Sequence, residues 1–189
     1  MIFNFWTGLA VLLLFFIKTS VKFVPQNRAY IVERFGKYTR SLRPGLNLIM
    51  PYVDRIGRKL NMMETVFDIQ SQEVITRDNA VIIANAVAYI NIVSPEKAVY
   101  GVENYQIAIQ NLVQTSLRSI IGEMDLDDAL SSRDQIKAKL KSAISDDIAD
   151  WGITMKTVEI QDINPSATMQ KAMEEQAAAE RVHGVLHAV

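Results

Sequence analysis

The chain of 189 residues contains no cysteine. That excludes a disulfide framework, a thiol nucleophile, a zinc–cysteine site and palmitoylation together. Histidine is nearly absent, with only His183 and His187. With no G-x-S-x-G and no His before His183 to serve as base, serine-hydrolase chemistry of the triad type has no candidate centre. Ser116 falls on an apolar helical stripe as a packing residue, Ser20 lies near the end of the first apolar segment, and Ser131-Ser132 read as caps. The eight glycines stand singly at turns and helix ends, so there is no phosphate-cradling or dinucleotide pattern. No excess of one charge exists either: the formal net charge of -1 argues against nucleic acid as a partner. No cofactor is implied, and the chain reads as a non-enzyme.

Two metal readings are weak. His183 and His187 stand at i, i+4, but Gly184 weakens the helix and no Glu follows His183. Asp125, Asp127 and Asp128 suggest calcium, yet an EF-hand loop needs Gly at its sixth position and Glu at its twelfth. Here those are Leu130 and Ile136. A helix N-terminus, where acids suit the dipole, accounts for them better.

What is present is apolar: 49% hydrophobic and 22% charged residues, enough for a leading segment and one domain. Charge is unevenly spread. Residues 1–60 hold ten Lys/Arg against Glu33 and Asp54, whereas residues 103–189 hold eight against fourteen acids. The run Ile2 to Ile17 is broken only by Asn4, Thr7 and Gly8, and at 1.5 Å per residue it covers about 24 Å. Extension to Val24 gives about 34 Å, enough for a bilayer core, with Lys18 and Lys22 snorkelling. The start lacks the basic flank and the small-residue cleavage site of a signal peptide. Residues 1–24 therefore read as a membrane anchor. Seven basic residues between 18 and 43 predict a single pass, with the N-terminus outside and the domain in the cytoplasm.

Beyond the anchor, Arg28–Gly36 reads as a strand, Leu42-Arg43-Pro44-Gly45 as a turn, and Leu46–Met50 as a short strand stopped by Pro51. Residues 64–77 and 80–93 read as a hairpin turning at Arg77-Asp78-Asn79. The second strand carries a small-residue face, Ala80, Ile82, Ala84, Ala86, Ala88, Ile90 and Ile92, suited to a closely packed helix. Helical spacing then runs from Asn104 to Glu123, and Ser132-x-x-Gln135 opens a helix ending near Trp151-Gly152. Residues 153–163 return to strand, and Asn164-Pro165 is expected to open the last helix. Strands, then helices, then one strand make the class α+β.

The residues in this order carry a family resemblance. Val32-Glu33-Arg34-Phe35-Gly36-Lys37-Tyr38, Leu42-x-Pro44-Gly45-Leu46-Asn47, Pro51-x-x-Asp54-Arg55-Ile56, Tyr100-Gly101-Val102-Glu103, Trp151-Gly152-Ile153, Glu159-Ile160-x-Asp162-Ile163 and Ala179-Glu180-Arg181 resemble the stomatin, prohibitin and flotillin (SPFH, band 7) superfamily. The likeness covers residues 21 to 181 and is greatest to bacterial stomatin-like proteins and mitochondrial paraslipins. It implies an antiparallel sheet with packed helices over residues 25–164, and a coiled-coil helix beginning at 165–181. It also implies a membrane-microdomain scaffold that self-associates, placed by the bacterial likeness in a bacterial inner membrane, or a partner of a membrane AAA protease of the FtsH class. Residues 182–189 depart from the charged helix expected, which reads as a truncated, frame-shifted or naturally short form with impaired ring assembly.

Functional residues are then surface residues. Trp6, Phe15, Phe16, Lys18, Lys22, Phe23, Arg34, Lys37, Arg40 and Arg43 are candidates for contact with the lipid bilayer. Met169, Met173 and Ala177 on the last helix are candidates for contact with a second copy.

Overall fold

The computed structural model describes the backbone of residues 2–186 and the side chains of residues 9–11 and 14–178. It divides into two units. One comprises Met1–Glu64, Asn91–Asn104 and Asp150–Thr154; the other comprises Thr65–Ile90, Tyr105–Ala149 and Met155–Val189.

The first unit opens with α1 (Ile2–Ser20), followed by strands β1 (Val21–Val24), β2 (Arg28–Arg34), β3 (Lys37–Leu42), β4 (Gly45–Leu48) and β5 (Asp54–Asn61). β1 and β4 pair antiparallel as a two-stranded sheet, and the other three form a sheet of order β3-β2-β5. β2 is the middle strand, and its apolar run Ala29–Val32 is wholly buried. Phe35 and Gly36, at φ 51° and 80°, join β2 to β3 with the positive φ pair of a two-residue hairpin turn. Gly45, at φ 113°, supplies the positive φ that follows Pro44. Val24, Tyr30, Val32, Leu42 and Ile49 form the core, with Ile56 packed against them. The short α2 (Pro95–Tyr100) completes the unit.

Residues 1–24 do not form the single apolar helix expected of an anchor. Residues 21–24, needed to lengthen the apolar helix, are strand β1. Val-Lys-Phe-Val alternates with period two and finds Gly45–Leu48 as its partner. The Ile49 N–H donates to the Ser20 carbonyl at 2.8 Å, tying the helix end to that ribbon. α1 is thereby held to nineteen residues, and its last turn is Lys18-Thr19-Ser20. Among the described residues no helix is long and apolar enough to cross a membrane. The single-pass topology, with the N-terminus outside and a cytoplasmic domain at a bacterial inner membrane, is overturned by that finding.

The second unit contains a sheet of order β6-β7-β8, from β6 (Thr65–Ile75), β7 (Val81–Ile92) and β8 (Ile153–Pro165). β6 and β7 form the expected hairpin, with Asn79 at φ 64° in the turn. The small-residue face of β7 is buried along its whole length. α3 (Tyr105–Gly122) lies against β6, where the Gln72 Nε2 donates to the Gln114 carbonyl at 3.0 Å. α4 (Leu126–Ser131) and α5 (Arg133–Asp150) follow. Ile136, Leu140, Ile144 and Ile148 recur at i, i+4 on α5, and all are fully buried. Each contributes roughly 1.5–3 kcal/mol through area removed from water. The Lys141 ammonium donates to the Lys156 carbonyl at 2.8 Å and fixes α5 to β8.

The antiparallel sheets and packed helices agree with the α+β reading, but several boundaries move. β3, β5 and α2 are elements the sequence pattern did not disclose. β8 runs on through Asn164 and Pro165, and α6 (Ala167–Leu186) begins later. Ser166 is its cap: the Met169 N–H donates to Ser166 Oγ at 3.3 Å, while the Ser166 N–H donates to the Val81 carbonyl at 2.9 Å. Proline is tolerated where a strand ends and its missing N–H is not needed. α6 also continues past Arg181, where the aberrant tail was expected to begin.

Candidate lipid-facing and assembly surfaces

At one end of the β3-β2-β5 sheet, Arg34 stands opposite Asp54 in register. The Arg34 Nε donates to Asp54 Oδ1 at 2.8 Å, and the Met50 N–H donates to Asp54 Oδ2 at 3.0 Å. The Asp54 side chain is only 2% exposed. The Arg34 guanidinium, then the Met50 N–H, hold its carboxyl below the usual carboxylate range. The Asp54 N–H returns to the Met50 carbonyl at 2.9 Å, closing a short loop through Pro51 and Tyr52. Two neighbouring turns thus sit at this end of the sheet.

Each turn carries an aromatic residue at positive φ, Phe35 at 51° and Tyr52 at 68°. Both side chains are 88% exposed. The left-handed region is uncommon for bulky residues, and here it is coupled to full presentation of the rings. Close by, a hollow of about 390 Å³ is lined by Phe16, Arg34, Arg40, Leu48, Met50 and Asp54. Arg40 is held there by donating to the Leu48 carbonyl.

The β1–β4 ribbon adds a second apolar area. Its register pairs Val21 with Leu48 and Phe23 with Leu46, so these four share one face. Phe23 is 74% exposed and Leu48 62%. On α1, Leu14, Phe15, Phe16 and Ile17 are exposed, and Leu14, Ile17, Lys18 and Val21 border a shallow hollow where the helix meets the ribbon.

Of the residues singled out from sequence, Phe15, Phe16, Lys18, Phe23, Arg34, Lys37 and Arg40 are exposed, and Lys22 is half-buried. Phe16, Arg34 and Arg40 are brought to one hollow. Arg43 is not among them and lines a different cleft. The side chain of Trp6 lies outside the described residues, as do those of His183 and His187. Met169, Met173 and Ala177 stand at i, i+4, i+8 on α6; Met173 is exposed and the other two are half-buried. Phe35, Leu46, Leu48 and Tyr52 escaped the sequence reading. The usable signals were a Phe before Gly in a tight turn, a Tyr after Pro, and the alternation Leu46, Leu48, Met50. Among the described residues no group of three His, Cys, Asp or Glu side chains could hold a metal.

The profile of the SPFH domain / Band 7 family matches residues 22–187. Over 180 residues the chain is 39% identical to an uncharacterised protein of Methanocaldococcus jannaschii, covering 95% of this chain and 90% of that one. It is 38% identical over 163 residues to the mitochondrial stomatin-like protein 2 of Homo sapiens, covering 86% of this chain and 46% of that protein. To an uncharacterised protein of Mycobacterium tuberculosis it is 36% identical over 176 residues, covering 92% and 46%. The chain thus spans nine-tenths of the first relative and about half the length of the other two.

Proposed function

The chain belongs to the SPFH domain / Band 7 family, and from that premise we propose that it is a non-catalytic scaffold that gathers on a lipid surface and self-associates there. The observation that carries this reading is the exposed pair Phe35 and Tyr52, 88% accessible each, with Arg34 and Lys37 flanking the Phe35 turn. Two aromatic rings at neighbouring turns, together with the apolar Phe16, Leu48 and Met50 of the hollow that Arg34 and Asp54 also line, suit the headgroup–acyl boundary. Basic side chains around them suit anionic headgroups. This is interfacial seating, in which α1 lies along the surface with its exposed apolar residues against lipid. The stomatin-like relative supports the assignment to a membrane scaffold by likeness.

The test is flotation of the purified chain with vesicles containing anionic lipid, beside the double variant Phe35→Ser, Tyr52→Ser. Burying one aromatic side chain is worth roughly 1.5–3 kcal/mol, so the double variant should lose at least about tenfold in partitioning. Partitioning unchanged in the double variant would sink the reading. Self-association is read separately, as native mass: Met173→Glu should lower it if the Met169–Met173–Ala177 stripe joins copies. An unchanged mass would remove that stripe from the interface.

A further inference from the structure

The first unit contains a second polar concavity that the lipid-facing reading does not use. It is a cleft of about 440 Å³ whose polar lining includes Arg28, Arg43, Glu96 and the hydroxyl residues Tyr38, Ser41 and Ser94. That volume lies within the range of small-molecule sites.

The walls are fixed by contacts of their own. The Asn47 Nδ2 donates to the Arg43 carbonyl at 2.8 Å and to the Gly45 carbonyl at 3.1 Å, which pins the Arg43-Pro44-Gly45 turn. The Tyr38 hydroxyl lies 3.1 Å from Ser41 Oγ, and its ring meets that of Tyr100 edge-on at 5.9 Å. The Ser94 N–H donates to the Gly152 carbonyl at 2.9 Å. A Cβ at position 152 would come within 2.6 Å of the Ser94 Cβ, so only glycine lets these segments approach so closely.

The polar groups held on these walls are largely unspent. Arg34 is paired with Asp54 and Arg40 is bound to a carbonyl, but neither Arg28 nor Arg43 has an ion-pair partner among the described residues. Ser94 occupies the N-cap position of α2 and makes no side-chain cap bond. Glu96 likewise has no ion-pair partner among the described residues. Two guanidiniums offer ten N–H donors between them, more than a carboxylate can accept and well matched to a phosphate. Glu96 adds one carboxylate, which accepts from an ammonium and repels a second anion. The formal charge of the three ionic side chains is +1, complementary to a phosphate ester that also carries an amine.

We propose that this cleft binds a phosphate ester of a small amino alcohol, the phosphate between Arg28 and Arg43 and the ammonium at Glu96. The same chemistry occurs in a free phosphoamine and in the headgroup of an aminophospholipid. The proposal does not depend on the apolar face: a soluble compound tests it in the absence of lipid.

The experiment is calorimetric titration of the full chain, held in a non-ionic maltoside, with phosphoethanolamine, inorganic phosphate and ethanolamine in turn. Saturable binding of phosphoethanolamine is expected, tighter than either fragment. Arg28→Gln and Arg43→Gln should each weaken it about tenfold, as loss of a charge-assisted bidentate contact does. Glu96→Gln should instead erase the preference for phosphoethanolamine over inorganic phosphate, a change of selectivity that unfolding cannot imitate. Absence of saturable binding, equal affinity for phosphate and phosphoethanolamine, or arginine variants that bind like the parent each overturn the proposal. Competition by phosphatidylethanolamine, supplied in mixed micelles with the same maltoside, for the bound phosphoethanolamine would assign the ligand to a lipid headgroup, and its absence to the free phosphoamine.

Discussion

Asp78 caps helix α4 from forty-eight residues away: both oxygens of its carboxylate lie 3.2 Å from the backbone N–H of Leu126, which donates to them. Asp125 occupies the N-cap position yet makes no side-chain cap bond. Its carboxylate is turned to Arg77, whose Nε donates to it at 2.9 Å. The β6–β7 turn therefore supplies both a cap and a cation to the start of one short helix. The Thr76 hydroxyl, then the Leu126 N–H, hold the Asp78 carboxyl below its ordinary value.

A pH dependence follows from that direction. A carboxyl depressed in the folded state stabilises the fold above its unfolded value of about 4 and loses that contribution as pH falls through the folded value. Asp78→Asn should therefore lower the unfolding midpoint at neutral pH. It should also blunt the further loss that the parent shows on acidification below about pH 4. Thermal unfolding of both proteins at neutral pH and at pH 3 checks this, and coincident midpoints at neutral pH would contradict it.

The start of α6 gives a second test. Ser166 Oγ accepts the Met169 N–H, while Asn164 stands two residues earlier, exposed on β8. Ser166→Ala should cost about 1 kcal/mol, the usual price of a lost N-cap, and Asn164→Ala should cost almost nothing. Urea unfolding of the two variants decides between them. The reverse order would mean that the helix begins at Asn164-Pro165 after all.

What could be read without coordinates divides along a physical line. Local periodicity disclosed α3, α5 and the β6–β7 hairpin, because Ile109, Val113 and Leu117, or Ala84, Ala86 and Ala88, carry their face in their spacing. Asn164-Pro165 misled because a proline suits the end of an edge strand as well as the start of a helix. β3 and β5 were hidden because Lys37–Leu42 and Asp54–Asn61 are mostly polar strands defined by pairing with β2, which spacing alone does not show. The same holds for Val21–Val24, whose apolar composition continued the helical run although its partner lay at Gly45–Leu48. The exposed Phe35 and Tyr52 were invisible as a pair until the Arg34–Asp54 register placed their turns together.

Gly57 is the place where β5 makes room for Glu33. A Cβ there would lie 2.3 Å from the Glu33 Oε1, which accepts the Tyr100 hydroxyl at 2.7 Å. Burial around the hydroxyl, then the hydrogen bond to Glu33, push the Tyr100 phenol up to about 12. Stabilisation from this group is present below the unfolded value of about 10 and is lost as pH rises through the folded value. Gly57→Ala should swing the Glu33 carboxylate aside and bring the Tyr100 titration down toward its ordinary range. Spectrophotometric titration of tyrosinate, with Tyr100→Phe to identify the shifted group, checks it. A Tyr100 titration unaltered in Gly57→Ala would mean that Glu33 finds another route to the hydroxyl.

Leu140 measures how much the second unit depends on its helix stripe. It is fully buried on α5, between Ile136 and Ile144. Leu140→Ala should destabilise the fold by about 2–5 kcal/mol, from lost transfer energy and the cavity left behind. Lys139→Ala, one position away on the exposed side of the same helix, should change stability by less than about 0.5 kcal/mol. Denaturant midpoints for the two variants give the comparison, and similar losses in both would contradict the stripe as the packed face.

Lys37 isolates the electrostatic part of the proposed lipid contact. It is exposed beside the Phe35–Gly36 turn, and no ion pair holds it among the described residues. Arg34 is unsuited to the same test, because removing it strands the nearly buried Asp54 carboxylate. A basic side chain near an anionic bilayer is worth about 1 kcal/mol, so Lys37→Gln should reduce partitioning onto anionic vesicles about fivefold. The reduction should shrink as salt is raised, since the interaction is screened within a Debye length, and should vanish on vesicles of neutral lipid. Co-sedimentation at two salt concentrations and two lipid compositions reads all of this. An equal loss on neutral vesicles would place the effect of Lys37 in the hairpin's structure, leaving the aromatic pair to account for binding without an electrostatic rim.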